Sequence, residues 1–171
     1  MNGFSHIGLA TLDLDATRAF YEGVLGFRVV RFDVMEVAEG GRIRHAFFDC
    51  GNGSMIAFME PRGVPGVPAT YDTGINRGLG VPEVFYHFAF TADSHAALLA
   101  KRAELIAKGI AVSPVVDHEG WIESIYFKDP NGLLIEYAWQ SRALGVDDAS
   151  EEVRIRFSLR QRSPVTDFRR E

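Results

Sequence analysis

The sequence predicts an α+β fold in which one β-α-β-β-β module occurs twice and a C-terminal extension follows. Three observations carry this. Residues 6–30, HIGLATLDLDATRAFYEGVLGFRVV, and residues 87–112, HFAFTADSHAALLAKRAELIAKGIAV, each open with a histidine on an alternating apolar run. Each continues through a polar break, a helical stretch, a glycine and a second apolar run. Residues 48–60, FDCGNGSMIAFME, and 127–139, FKDPNGLLIEYAW, each set an Asn-Gly turn between two apolar runs, a strong hairpin signal. The two matches lie at offsets of 81 and 79 residues, so one alignment with few gaps covers both, as a repeat requires.

The elements follow in order. The first module spans 1–62, with strands over 4–10, 27–36, 42–50 and 54–60. Its helix covers 14–24, because Ala16, Phe20, Tyr21 and Leu25 fall at helical spacing and Asp13 or Asp15 can cap the start. A Gly- and Pro-rich stretch, 63–83, reads as a linker or active-site loop. The second module spans 84–140, with strands over 84–91, 110–117, 121–128 and 133–140. Its helix, 94–108, is capped by Ser94 and carries Ala97, Leu98, Ala103 and Leu105 inward. Gly26 and Gly109 stop the two helices. The tail, 141–171, holds one strand pattern: Val153, Ile155, Phe157 and Leu159 alternate with Arg154, Arg156, Ser158 and Arg160. Such an arm suits packing on a partner chain. Together the modules are expected to form a curved mixed sheet around a common site.

Composition narrows the function classes. Apolar residues make up 47% and charged residues 24%, as in ordinary globular domains. The net charge of -5 speaks against a nucleic-acid or anionic-membrane partner, either of which calls for a basic patch. Cys50 is the single cysteine, so no internal disulfide forms. No basic-then-apolar leader opens the chain, and no run approaches the ~18 apolar residues of a membrane helix. The expected location is the cytoplasm.

Three residues suggest a metal. His6 and His87 open equivalent strands of the two modules, and Glu136 sits amid apolar residues in the last strand of the second. A carboxylate in such a strand is costly to bury unless a cation answers it. Two histidines at matched repeat positions converge if the modules pack about a pseudo-twofold axis. Two histidines and one carboxylate form a face that leaves coordination positions open, the set used by non-haem Fe(II). Fe(II) is therefore favoured over Mn(II). The hairpin alignment sets Glu136 against Ala57, and Glu60 against Trp139. Glu60, three residues beyond Ala57, points to the other face of its strand. Three protein ligands are expected, with water or substrate filling the remainder.

The paired modules with His6, His87 and Glu136 resemble the vicinal oxygen chelate superfamily, over about residues 4–140. That superfamily includes glyoxalase I, fosfomycin and bleomycin resistance proteins, methylmalonyl-CoA epimerase and type I extradiol dioxygenases. Residues 116–136, VDHEGWIESIYFKDPNGLLIE, further resemble the extradiol fingerprint, with Val116, His118, Ile125, Tyr126, Asp129, Pro130, Gly132 and Glu136 in its places. By that resemblance His118 and Tyr126 contact substrate or oxygen. The resemblance implies a single-domain enzyme that chelates a catechol-type substrate through adjacent oxygens and cleaves its ring with O2. In this family modules pair within a chain or across a dimer, and a homodimer is expected.

The chain departs from the family in two places. Glyoxalase I and the epimerases use a fourth ligand, a Glu, where this chain has Ala57, which counts against both activities. The dioxygenases place an acid–base His shortly before the second metal His, whereas residues 70–86 contain none. His45 matches Ser124, which shares a face with Tyr126, and so becomes the candidate for proton transfer. Phe47, Phe58, Phe88, Phe90 and Trp121 are expected to line the pocket, with Arg62 or Arg77 available to a substrate carboxylate. Two alternatives stay open: a metal-dependent lyase, isomerase or transferase without O2 chemistry, and a resistance protein that sequesters a drug.

Overall fold

The computed structural model describes residues 3–150. The strand pattern at 153–160 lies outside the described residues. The chain divides into two compact units. The first is Met1–Gly80 with Asp129–Leu133, the second Val81–Lys128 with Leu134–Glu171.

The first unit contains β1 (His6–Ala10), α1 (Leu14–Arg18), a π-helical continuation (Ala19–Val24), β2 (Arg28–Glu36), β3 (Arg42–Gly51), β4 (Ser54–Arg62) and a short α2 (Ile75–Leu79). Its sheet runs β1-β4-β3-β2, with β1 parallel to β4 and the other pairs antiparallel. Asp13 caps α1, accepting the Ala16 N–H at 2.9 Å. The expected single helix is instead two segments. Beyond Arg18 the bonds lengthen to i→i+5, as in Leu25 N–H to Phe20 O at 3.0 Å. The wider turn lets two successive aromatics, Phe20 and Tyr21, both enter the core. Tyr21 is fully buried, its ring 4.9 Å from Phe58 and 5.4 Å from Phe48.

Buried polar groups tie this unit together. The hydroxyl of Thr11 donates to Asn131 Oδ1 at 2.7 Å, and Asn131 Nδ2 donates to Asp129 Oδ2 at 2.9 Å. Tyr21 adds its hydroxyl to Asp129 at 3.2 Å, and the Asn131 and Leu133 amides close on Asp129 Oδ1. Burial pushes the Asp129 carboxyl up in pKa, while these donors oppose it. The Asp-Pro-Asn-Gly stretch is thus a turn whose side chains bond inward, with Gly132 at φ +79 where a Cβ would meet the Arg77 guanidinium at 3.1 Å.

The second unit repeats the topology. It contains β5 (His87–Thr91), α3 (His95–Ala107), β6 (Val116–His118), β7 (Ile122–Lys128), β8 (Leu134–Gln140) and α4 (Val146–Ser150), with sheet order β5-β8-β7-β6. Again the first and last strands pair in parallel. Ser94 caps α3 through the Ala97 N–H at 3.1 Å, and Leu98 and Leu105 are fully buried. Gly109 ends the helix at φ +79. β6 is shorter than the 110–117 expected, because Pro114 has no N–H for the ladder. The sequence pattern does not predict the short α2 and α4, since each is about one turn without amphipathic periodicity. No described helix is long and apolar enough to cross a membrane.

The Asp129 cluster predicts a specific cost. Asp129→Ala leaves two amides, a phenol and a carboxamide without their acceptor. Urea denaturation should show a loss of about 2–4 kcal/mol, larger than the ~1 kcal/mol of a typical single hydrogen bond.

Candidate metal-binding site

Strand parity decides which side chains meet. In β5 and β8, Ala89 pairs with Glu136 and His87 with Leu134, which puts His87 and Glu136 on one face. Across β7, Tyr126 pairs with Glu136 and Ser124 with Ala138, adding Tyr126 and Ser124 to that face. His118 of β6 pairs with Ile122 and joins them.

The contacts agree. His87 Nε2 lies 3.1 Å from Glu136 Oε2, and His87 Nδ1 lies 3.1 Å from the Val84 carbonyl. A carbonyl only accepts, so Nδ1 carries a proton and donates it there. Nε2 then presents a lone pair towards a carboxylate. Two acceptors face each other, and only a cation, a proton or a metal ion, reconciles them. The site therefore fits a metal in chemistry: the Val84 carbonyl fixes the tautomer that frees Nε2, as carbonyls do behind metal-bound histidines. Glu136 is only 6% exposed while His87 is 40% exposed, so the pair is anchored inside and open outside. The Ser124 hydroxyl donates to Glu136 Oε1 and orients the second oxygen.

The electrostatics follow from this geometry. Hydrogen bonding to Glu136 raises the His87 pKa above its ordinary value, against the opposing pull of burial. Burial would raise Glu136, but the hydrogen bonds from His87 and Ser124 outweigh it and hold the carboxyl below its usual range. Tyr126 Oη shares a 3.0 Å hydrogen bond with His118 Nε2. Burial, reinforced by the charge of Glu136, raises the Tyr126 pKa and keeps the phenol protonated.

In the first unit the same parity places His6, Phe47 and His45 on one face, since His6 pairs with Met55, Phe47 with Ala57 and His45 with Met59. The Phe47 ring stands 5.4 Å from His6 and 4.3 Å from His45. Burial lowers the His45 pKa, with Asp33 opposing, so its imidazole is neutral near pH 7. Glu60 sits on the other face of β4, 1% exposed, bonded to Arg62 at 2.7 Å, Arg44 at 3.2 Å and the Leu14 amide at 3.1 Å. It is spent on structure, as its parity implied.

Several expectations change. Phe58 is buried on the helix side of its sheet, against Tyr21. Phe88 and Phe90 flank Ala89 and so take the face opposite Glu136. Arg62 pairs with Glu60, and Arg77 with Asp72 at 2.5 Å, so both are engaged locally. Ser124 escaped the sequence reading as a functional residue. Its signal was a small hydroxyl two positions before Tyr126, on the same strand face. Cys50 is no nucleophile: burial pushes its thiol up to about 11. Among the described residues, no group of three or more His, Cys, Asp or Glu side chains stands together as a metal cluster. The described site is the His87–Glu136 pair with its supports, and His6 belongs to the first unit.

A model of the Glyoxalase/Bleomycin resistance protein/Dioxygenase superfamily matches residues 3–137. The chain belongs to this superfamily. Solved structures with the superfamily fold align along most of the chain. Lactoylglutathione lyase from Agrobacterium tumefaciens is 24% identical with TM-score 0.56, covering 81% of this chain and 94% of its own. The fosfomycin resistance protein FosX from Listeria monocytogenes is 23% identical with TM-score 0.55, covering 81% and 93%. TnmS3, an antibiotic binding protein from Streptomyces sp. CB03234, is 17% identical with TM-score 0.58, covering 82% and 98%. These identities speak for the fold alone, and the three names span a lyase, a resistance protein and a binding protein. Comparison with curated proteins finds no match. The superfamily thus includes enzymes and non-enzymatic binders, and the site must separate them.

The ion pair has a measurable pH signature in metal-free protein. A histidine raised by its partner contributes stability that is complete below ~6.5, its unfolded value, and lost as pH rises through the folded value. NMR titration should place His87 above ~6.5, and Glu136→Gln should bring it back down.

Proposed function

We propose that this chain is a metal-dependent dioxygenase of the extradiol type, cleaving the ring of a catechol-like aromatic substrate with O2. One observation carries the reading: His87 and Glu136 form a cation-seeking pair whose neighbours on the same face are a protonated Tyr126 and its partner His118. The metal ligands in this proposal are His87, Glu136 and His6, the last supplied by the first module of the same chain or of a second copy in a homodimer. Fe(II) suits two imidazoles and one carboxylate and supplies Lewis acidity and electron transfer to O2 when bound.

The chain's own groups perform the rest. Val84 and Ser124 hold the ligands in orientation before any substrate arrives. Tyr126 keeps its proton and donates a hydrogen bond towards a substrate oxygen. His118, hydrogen-bonded to Tyr126, orients the phenol and exchanges a proton with the substrate. His45, neutral near pH 7, is the second candidate to accept the proton that a catechol must lose. Ala57 supports a three-ligand reading over a glyoxalase-type one: it fills the pairing position of Glu136 in the first module, is fully buried and carries no ligand atom.

Anaerobic purification followed by metal analysis and O2 uptake on a panel of catechols tests this. The expected result is one Fe per site and O2 consumption with ring cleavage. Ni, Zn or Mn without O2 uptake would indicate a lyase or isomerase, and no metal at all a drug-binding protein. His6→Ala, His87→Ala and Glu136→Ala should each abolish stoichiometric metal, whereas Glu60→Ala should retain it. Ser124→Ala should weaken metal binding by about 10–100-fold, the usual effect of removing a group that orients a ligand.

A further inference from the structure

Four large apolar side chains of β2 meet solvent: Val30 is 44% exposed, Phe32 40%, Val34 55% and Met35 37%. β2 ends its sheet, and at nine residues it is the longest of the end strands, since β1 and β5 have five each and β6 has three. Among the described residues no strand lies on its outer side. A long apolar edge of this kind is a template for a further strand. Phe32 and Val34 lie on the helix side of the sheet, opposite Ala46 and Arg44. The Phe32 ring carries the Arg18 and Arg44 guanidiniums at 5.6 and 5.7 Å and keeps its outer part open. Arg31 and Asp33 lie on the other side, opposite Phe47 and His45, and bond each other at 2.8 Å.

Charges on an edge strand ordinarily deter a second chain. In β2 their order does the reverse. The strand reads RVVRFDVME, and about Phe32 it is self-complementary. Laid antiparallel on a copy of itself with the two Phe32 residues opposite, Arg31 faces the copy's Asp33 and Asp33 faces the copy's Arg31. The existing bond within each strand then becomes part of a ring of four alternating charges. Val34 meets the copy's Val30, the residue at the irregularity in the ladder to β3. Opposite charges across a strand pair stabilise it and like charges destabilise it. A slip of two residues sets Arg31 against Arg31 in one direction and Asp33 against Asp33 in the other, so the charges select the register centred on Phe32. We infer that β2 is a self-recognition edge: two copies of this chain pair antiparallel through it, about a twofold axis at Phe32, and their sheets join into one. The contact belongs to the outer strand of the first unit and depends on neither the metal nor the reaction.

Sedimentation velocity at low ionic strength tests this, with circular dichroism to check that each variant is folded. Wild type should associate pairwise as concentration rises. Arg31→Asp alone and Asp33→Arg alone each set like charges opposite one another, and each should weaken association at least about tenfold, a difference of ~1.4 kcal/mol. An equimolar mixture of the two variants should associate about as well as wild type, because every charge then faces its opposite. Raised salt should narrow the gap between the single variants and wild type. Leu99→Arg, at an exposed position on α3, should associate as wild type does. A wild type that stays monomeric up to its solubility limit would overturn the inference and leave the edge to another occupant, such as residues 151–171 of the same chain. Undiminished association of both single variants would put the contact elsewhere and overturn it too. So would a mixture that associates no better than its components. Association restored by mixing would uphold it and show that both variants are folded, since a misfolded chain cannot complement its partner.

Discussion

A carboxylate buried in the middle of a sheet demands a cation, and the second module is organised around that demand. Glu136 lies among apolar strand residues with little access to water, where an unanswered negative charge costs several kcal/mol. The Val84 carbonyl holds the proton of His87 on the far side of its ring, so the near nitrogen offers a lone pair rather than a hydrogen. In the absence of metal a proton fills the gap, which is why the imidazole is more basic than usual. In the proposed reading a divalent ion would compete for the same place. Site organisation and latent acidity are two aspects of one arrangement, because metal binding must release that proton.

The first module meets the same electrostatic problem in another way. Its buried carboxylate, Glu60, lies on the helix side of the sheet and is satisfied by two arginines and a backbone amide. Nothing is left for a metal or substrate to supply. The contrast between Glu60 and Glu136 shows how a buried acid is read. One answered by two arginines and a backbone amide is structural, and one answered by a neutral hydroxyl and a part-exposed imidazole is poised for a guest.

The two modules share positions and not chemistry. Each pairing position on the histidine-bearing face exists twice. The second module has the polar set, Glu136, Ser124 and Tyr126. The first holds Ala57, His45 and Phe47 in those places, with methionines beside them.

Much of this was present in the linear chain. The repeat, the Asn-Gly turns, both helix caps and the shared faces follow from local rules: period two in strands, period 3.6 in helices, and side-chain acceptors at helix starts. Hence the separation of Glu60 from Glu136 was legible from alternation and spacing, while the grouping of His118 with Tyr126 came from the resemblance to the extradiol fingerprint. Other features came from contacts between residues distant in sequence. The Val84 carbonyl behind His87 has no side-chain signature, and Ser124 earns its role only by facing Glu136 across a strand pair. The Asp-Pro-Asn-Gly turn reads as a simple hairpin, yet its side chains bond to Thr11, Thr17 and Tyr21 more than a hundred residues earlier. Sequence alone determined which residues could reach a common face. Tertiary structure decided which of their hydrogen bonds were already taken, because satisfaction of a donor or acceptor is a property of the folded neighbourhood and not of the residue.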